Sequence, residues 1–102
     1  MPKFRIISAP SPGIKEMLLR KANAKANIKE DILQNATAIG LFQATVVDCY
    51  YYADLGQKAA DVIALEINGT CPQRLSMMAL FGDLSAVNAA VRAINTDDGE
   101  EN

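Results

Sequence analysis

A short turn at residues 68–74, Asn-Gly-Thr-Cys-Pro-Gln-Arg, is the feature that most constrains the fold of this 102-residue chain. It separates two apolar, strand-like runs at residues 62–67 and 75–81. Glycine and proline favour tight turns, so the pattern predicts two neighbouring strands with Cys71 presented between them. One thiol cannot hold a metal cluster alone. Cys71 therefore either has no such role or acts in an assembly that brings several copies together.

The rest of the chain predicts an α+β domain, an antiparallel-type sheet with helices packed on it. Residues 27–35 are polar and ambiguous. Thr45 and Asp83 are predicted to cap the helices that follow them, because their side chains can accept hydrogen bonds from free N–H groups. The leading strand either joins the sheet or sits apart. The other predicted elements are strands at 4–9 and 36–45 and helices at 14–26, 46–60 and 84–94.

Composition describes a globular chain, with half of its residues hydrophobic and 22% charged. We predict one domain over residues 1–95, followed by a disordered acidic tail at 96–102. The net charge of −2 argues against nucleic acid as a partner. No apolar run approaches the roughly 20 residues that span a bilayer, so we expect no membrane partner and a cytoplasmic location.

The chain is predicted not to be an enzyme. It contains no histidine, which removes most zinc enzymes and histidine general-base schemes. Asp48 and Asp54 lie near tyrosines but lack a suitably spaced acid–base partner. The run at residues 50–52, three tyrosines, puts rings on more than one helix face. We expect one ring to pack on the sheet and another on a neighbouring subunit.

Several motifs resemble the bacterial microcompartment (BMC) shell-protein domain. They are Ala-Ile-Gly-Leu-Phe at 38–42, Asp-Leu-Gly-Gln-Lys-Ala-Ala-Asp-Val at 54–62 and Gly-Asp-Leu-Ser-Ala-Val at 82–87. Residues 4–14 resemble the strand and the Pro-x-Pro exit that normally end the domain, but here they come first. The resemblance therefore implies a circularly permuted BMC domain. Ser11 departs from the pattern, because many members carry an arginine between the two prolines.

The resemblance implies a flat homohexamer that tiles with neighbouring shell proteins into a shell enclosing enzymes. In this family the turn between the second and third strands lines the central pore, and here that turn is residues 69–74. Gly-Thr-Cys-Pro-Gln at 69–73 is similar to the pore sequence of shell hexamers from glycyl-radical propanediol microcompartments. Those hexamers are associated with an iron–sulfur cluster. The matching motif also implies that Lys58 lies at the hexamer–hexamer edge.

The resemblance thus makes Cys71 the ligand of an iron–sulfur cluster, most simply [4Fe-4S], that is shared between copies around the pore axis. Backbone N–H and side-chain amide groups beside it would hydrogen-bond to the sulfurs and tune the reduction potential. Arg74 would favour the thiolate. The role that the resemblance implies for this cluster is electron transfer across the shell. The flanking residues assigned to the cofactor site are Gly69, Thr70, Pro72 and Gln73.

Two alternatives remain open at this point. One is a shell hexamer whose pore passes small polar metabolites while Cys71 stays a free thiol. The other is a small ligand-binding regulatory domain of ferredoxin-like fold that never tiles. Cys49 lies inside a predicted helix, where a cysteine behaves as a small buried hydrophobe.

Overall fold

The computed structural model describes residues 3–68 and 75–100, with side chains described up to Asp97. These residues form the predicted α+β fold, four antiparallel strands with helices packed on both faces of the sheet. The elements in chain order are β1 (Phe4–Ser8), α1 (Pro12–Ala22), α2 (Ala26–Asn35), β2 (Ala38–Thr45), α3 (Val46–Ala59), β3 (Ile63–Ile67), β4 (Leu75–Gly82) and α4 (Leu84–Glu100).

The sheet has the strand order β1-β2-β4-β3, and each neighbouring pair is antiparallel. The leading strand β1 joins this sheet at an edge, where Ile6 lies opposite Gly40 of β2. This settles the question that the sequence left open. The two central strands are the most apolar because both of their faces are covered, and Ile39 and Leu80 are fully buried.

Alternation along the strands divides the core between two sheet faces. Even-numbered positions face α3 and α4 and pack with them around Phe42, Met78 and Leu80. Odd-numbered positions face the opposite way, and Ile39 and Phe81 pack there with α1 and α2. The core therefore consists of two layers, one on the even-facing side of the sheet and one on the odd-facing side.

Both predicted helix caps are confirmed. The Thr45 hydroxyl accepts a hydrogen bond from the N–H of Asp48 at 3.3 Å, at the start of α3. The Asp83 carboxylate accepts one from the N–H of Ala86 at 2.7 Å, at the start of α4. Each cap satisfies a donor that the first helical turn would otherwise leave unpaired.

Three boundaries differ from the sequence-based expectation. The helix predicted over 14–26 ends at Ala22, because Asn23 adopts a left-handed backbone conformation with φ 55°. The ambiguous segment 27–35 is helical and belongs to α2. The last helix continues to Glu100 instead of ending at Ile94, so helix covers most of the segment predicted as a disordered tail (96–102). Within the described part of the chain, no helix is long and apolar enough to cross a bilayer.

Candidate functional site

The predicted site lies at one end of the β3–β4 hairpin. The two strands pair as far as Ile67 opposite Met77, so β3 ends and β4 begins at the same end of the sheet. The start of β4 is also next to the end of β2, since Leu75 pairs with Thr45. The linking residues fall outside the described part of the chain, so their assignments stay predictions. They are Gly69, Thr70, Cys71, Pro72, Gln73 and Arg74.

A hydrogen-bonded network ties the base of this hairpin to its surroundings. Glu66 of β3 accepts one hydrogen bond from the hydroxyl of Tyr50 at 3.0 Å and another from the hydroxyl of Ser76 at 2.7 Å. Hydrogen bonds to an ionised acceptor are stronger than neutral ones. On the far side of the hairpin, the N–H of Asn68 donates to the carbonyl of Lys21 in α1 at 3.1 Å. The hairpin base is therefore held between α3 and α1.

The network changes the acidity of its tyrosine. The hydrogen bond to the Glu66 carboxylate, together with the negative charge of that group, raises the pKa of Tyr50 above its ordinary value. The Tyr50 hydroxyl accordingly stays a donor across the neutral pH range. The contact is therefore kept until the pH rises through the raised pKa of Tyr50.

Cys49 is buried, as predicted. Its side chain is 1% exposed, and its single S–H is shared between two carbonyl oxygens, those of Ser76 at 3.3 Å and Ala44 at 3.5 Å. Burial raises the pKa of the Cys49 thiol, which disfavours the thiolate that binds metals. Cys49 is consequently unsuited as a cluster ligand.

Lys58 lies at the opposite end of α3 from Thr45. It is in the last turn of α3, and its ammonium forms an exposed ion pair with Asp54 at 2.8 Å, one helical turn earlier. The hydrogen bond to Asp54 raises the pKa of Lys58. Lys58 is thirteen residues after Thr45, which corresponds to about 20 Å along the helix axis. Helix α3 therefore runs from the end of the sheet where β4 begins to the opposite end.

A groove opens on the odd-facing side of the sheet, beside the start of β4. We call it the sheet groove, and its volume is about 480 Å³. Lys3 and Arg5 give it two cations, whereas most of the remaining wall is apolar. Helices α1 and α2 cover other parts of this sheet face. The wall of the sheet groove is completed by Leu41, Phe42, Gln43, Leu75 and Met77.

A second exposed apolar surface occupies the first six residues of α3, on the even-facing side. We call it the α3 patch. Val47 is 76% exposed and Tyr50 is 55% exposed, whereas Tyr52 is buried against the core. The prediction that one tyrosine packs on the sheet is confirmed. The patch consists of Val46, Val47, Asp48, Tyr50 and Tyr51.

Sequence reasoning missed the Glu66 network. The available signal was one carboxylate in the otherwise apolar strand Ile-Ala-Leu-Glu-Ile, on the face that carries the helix with the tyrosines. A charged residue facing a covered side of a sheet needs polar partners. In the described residues, no group of three or more histidine, cysteine or acidic side chains is placed to bind a metal ion.

Comparison with known proteins gives a consistent picture. The family profile described as "BMC domain" matches residues 38–100. The GrpU microcompartment shell protein from Pectobacterium wasabiae, in a ligand-free structure, is 35% identical, with a TM-score of 0.68 over 91% of this chain and 99% of that one. The ligand-free GrpU shell protein from Clostridiales bacterium 1_7_47FAA is 28% identical, with a TM-score of 0.69 over 95% and 92%.

A more distant solved structure has a similar fold. The fused permuted hexameric shell protein MSM0275 from the RMM microcompartment is 16% identical, with a TM-score of 0.60. The match covers 95% of this chain and 45% of that longer one, and it bears on the fold alone. No curated protein sequence matches the chain.

Proposed function

The chain belongs to the BMC-domain family of microcompartment shell proteins, and from this premise we propose that it forms a closed homohexamer with the β3–β4 turn at its axis. The Cys71 thiolates of several copies would there hold an iron–sulfur cluster. The role of the subunit is structural, in the shell, and the cluster would add a redox function to the pore. This role implies three kinds of partner, which are other copies of this chain, other shell proteins and the enclosed enzymes.

One observation carries the proposal, the geometry of the hairpin base. Strand β3 ends at Ile67, opposite Met77, while β4 begins two residues earlier at Leu75, and Glu66 is held there by hydrogen bonds from α3 and β4. These hydrogen bonds fix the position at which the chain leaves β3 and the position at which it enters β4. A symmetric ring of such hairpins would bring one thiol per subunit toward a common axis.

The donor set fits a cluster only if it is shared between subunits. Each chain has two cysteines, and Cys49 is buried with its thiol hydrogen-bonded to backbone carbonyls. That leaves Cys71 as the soft ligand, and a [4Fe-4S] cluster takes about four thiolates. A ring of six identical thiols cannot satisfy such a cluster symmetrically, so some would ligate while others remain free.

The remaining residues of the turn would support the cluster rather than bind iron. The N–H groups of Gly69 and Thr70 and the amide of Gln73 can donate hydrogen bonds to sulfur, which tunes the reduction potential. Pro72 removes one N–H and stiffens the turn. A bound cluster supplies one-electron transfer, so its place in a pore would allow electrons to pass the shell.

Lys58 is assigned to the contact between hexamers. It lies at the end of α3 remote from the hairpin, and it is exposed. A side chain remote from the ring axis is available to neighbouring assemblies. Its ion pair with Asp54 adds little to the stability of the subunit, because exposed pairs are screened by solvent.

Anaerobic purification tests this function. Mass by light scattering and the content of iron and acid-labile sulfide are measured on the same sample. We expect a hexamer that is brown and carries iron and sulfide in equal amounts. A colourless hexamer would favour the plain metabolite pore, and a monomer or dimer would contradict the shell ring and favour a regulatory domain.

A further inference from the structure

The sheet groove and the α3 patch lie at the same end of the molecule but on opposite faces of the sheet. The sheet groove contains Leu75, the first residue of β4, which pairs with Thr45. The α3 patch begins immediately after Thr45 and belongs to the helix on the other face. Two surfaces on opposite flanks of one end of a subunit are what a ring around that end requires.

The two surfaces also match in chemistry. Lys3 and Arg5 make the sheet groove cationic in a chain whose net charge is −2. The α3 patch carries the carboxylate of Asp48 beside its most exposed side chain, Val47. The groove is otherwise mainly apolar, and the patch offers apolar and aromatic side chains to fill it. Aromatic side chains are enriched in protein interfaces, and isolated exposed patches of this kind are unusual on monomers.

We propose that the sheet groove of one copy receives the α3 patch of the next copy around the ring. This inference rests on the proposed closed hexamer and names the surfaces that form it. The occupant of the groove is a second copy of this chain, with Val47 against the apolar wall and Asp48 toward the Arg5 side. The contact is heterologous, because each copy uses two different surfaces, and such contacts close into rings when the rotation permits.

The pore would be incomplete without this contact. The groove includes Leu75, which directly follows residues 69–74 in the chain, and Met77, two residues later. Docking on them brings the next subunit beside the start of β4. Under the proposed function, the contact that builds the ring would also bring the Cys71 residues of neighbouring copies together.

Three charge-introducing variants test the proposal. Arg5→Glu and Leu75→Glu change the sheet groove, and Val47→Glu changes the α3 patch. Met17→Glu is the matched control, because Met17 is 53% exposed on α1 and belongs to neither surface. Circular dichroism and thermal melts confirm folding. By light scattering, we expect single subunits from the groove and patch variants and a wild-type assembly from the control.

A mixing experiment identifies the heterologous contact. Arg5→Glu keeps an intact α3 patch, and Val47→Glu keeps an intact sheet groove. Mixing the two folded variants should give a one-to-one heterodimer that grows no further, because the two remaining surfaces are both altered. If both variants stay hexameric alone, or if the mixture stays monomeric, the assignment of the two surfaces is overturned.

The same data separate this inference from the proposed function. A wild-type chain that is not a hexamer would contradict the shell ring itself. A hexameric wild type whose groove and patch variants are also hexameric would leave the ring intact and reject only these surfaces. Leu75→Glu guards against a misfolded Arg5→Glu, because it tests the same groove from a different strand.

Discussion

The hydroxyl of Tyr50 on α3 donates a hydrogen bond to a carboxylate oxygen of Glu66 on β3 across 3.0 Å. The other carboxylate oxygen of Glu66 accepts from Ser76 of β4, so one acidic side chain joins three elements at the base of the β3–β4 turn. Charge-assisted contacts of this kind fix geometry where the chain leaves the sheet. The base of the proposed pore turn is consequently tied to the same helix that carries the α3 patch.

The first prediction concerns the alkaline titration of Tyr50. The pKa of Tyr50 is raised in the folded state, chiefly by the hydrogen bond to Glu66. A raised pKa means that the contact contributes fully below the unfolded pKa, about 10. It is lost as the pH rises through the folded pKa. NMR of ring-labelled tyrosine, with the Tyr50 signal assigned from Tyr50→Phe, should show Tyr50 titrating at a higher pH in the wild type than in Glu66→Gln. Equal titration in the two proteins would rule out the Glu66 contact as the cause.

The second prediction concerns the reactivity of the buried thiol. In a Cys71→Ser background, Cys49 is the remaining thiol, and its burial raises its pKa. We expect Cys49 to react with an aromatic disulfide reagent at least about 100-fold more slowly in the folded protein than in denaturant, because reaction requires a thiolate. Kinetics followed by absorbance measure the ratio. Rapid reaction of the folded variant would show that Cys49 is accessible and would reopen it as a ligand.

The third prediction concerns Gly82, the last residue of β4. A Cβ atom at this position would lie 3.0 Å from the backbone oxygen of Asp61 and 3.1 Å from a methyl carbon of Val62. Backbone cannot move aside easily, so Gly82→Ala should lower the free energy of unfolding by about 1–3 kcal/mol. Gly13→Ala is the control, since a Cβ there meets no atom within 4 Å. Urea denaturation should find the control unchanged or stabilised by about 0.5–1 kcal/mol.

The fourth prediction concerns the edge of the hexamer. Lys58→Ala should leave the hexamer intact and weaken its assembly into sheets, because a lost edge contact is repeated at every neighbour. The thermal midpoint should change little, since the ion pair with Asp54 is exposed. Lys25→Ala, at an exposed position before α2, is the control. Electron microscopy compares the layers of hexamers that the two proteins form. If Lys58→Ala forms the same layers as the wild type, Lys58 does not contribute to the contact between hexamers.

Much of the fold could be predicted because local signals and packing agree. The two most apolar runs form the central strands β2 and β4. Thr45 and Asp83 cap helices because their side-chain oxygens accept hydrogen bonds from the first helical turn. The burial of Cys49 followed from its place within a helix. Where these signals coincide, the sequence predicts the element and its position in the core.

The errors arose where tertiary contacts decide local structure. Helix α2 is short and polar, and its stability comes from burying Ile32 rather than from a strong periodic pattern. The break before it depends on Asn23 adopting a left-handed conformation, which asparagine tolerates but does not require. The extension of α4 includes a hydrogen bond from the Tyr51 hydroxyl to Asp97, a contact between two helices that no local pattern contains.

The most direct test of the central claim is a comparison of Cys71→Ser with Cys49→Ser after anaerobic reconstitution with iron and sulfide. A serine hydroxyl at position 49 can still donate to the carbonyls that now accept from the thiol, so that variant should fold. Light scattering should find both variants hexameric. Visible absorbance and paramagnetic resonance should detect a cluster in Cys49→Ser and none in Cys71→Ser, because the soft thiolate ligand is lost. A cluster that persists in Cys71→Ser would contradict the account.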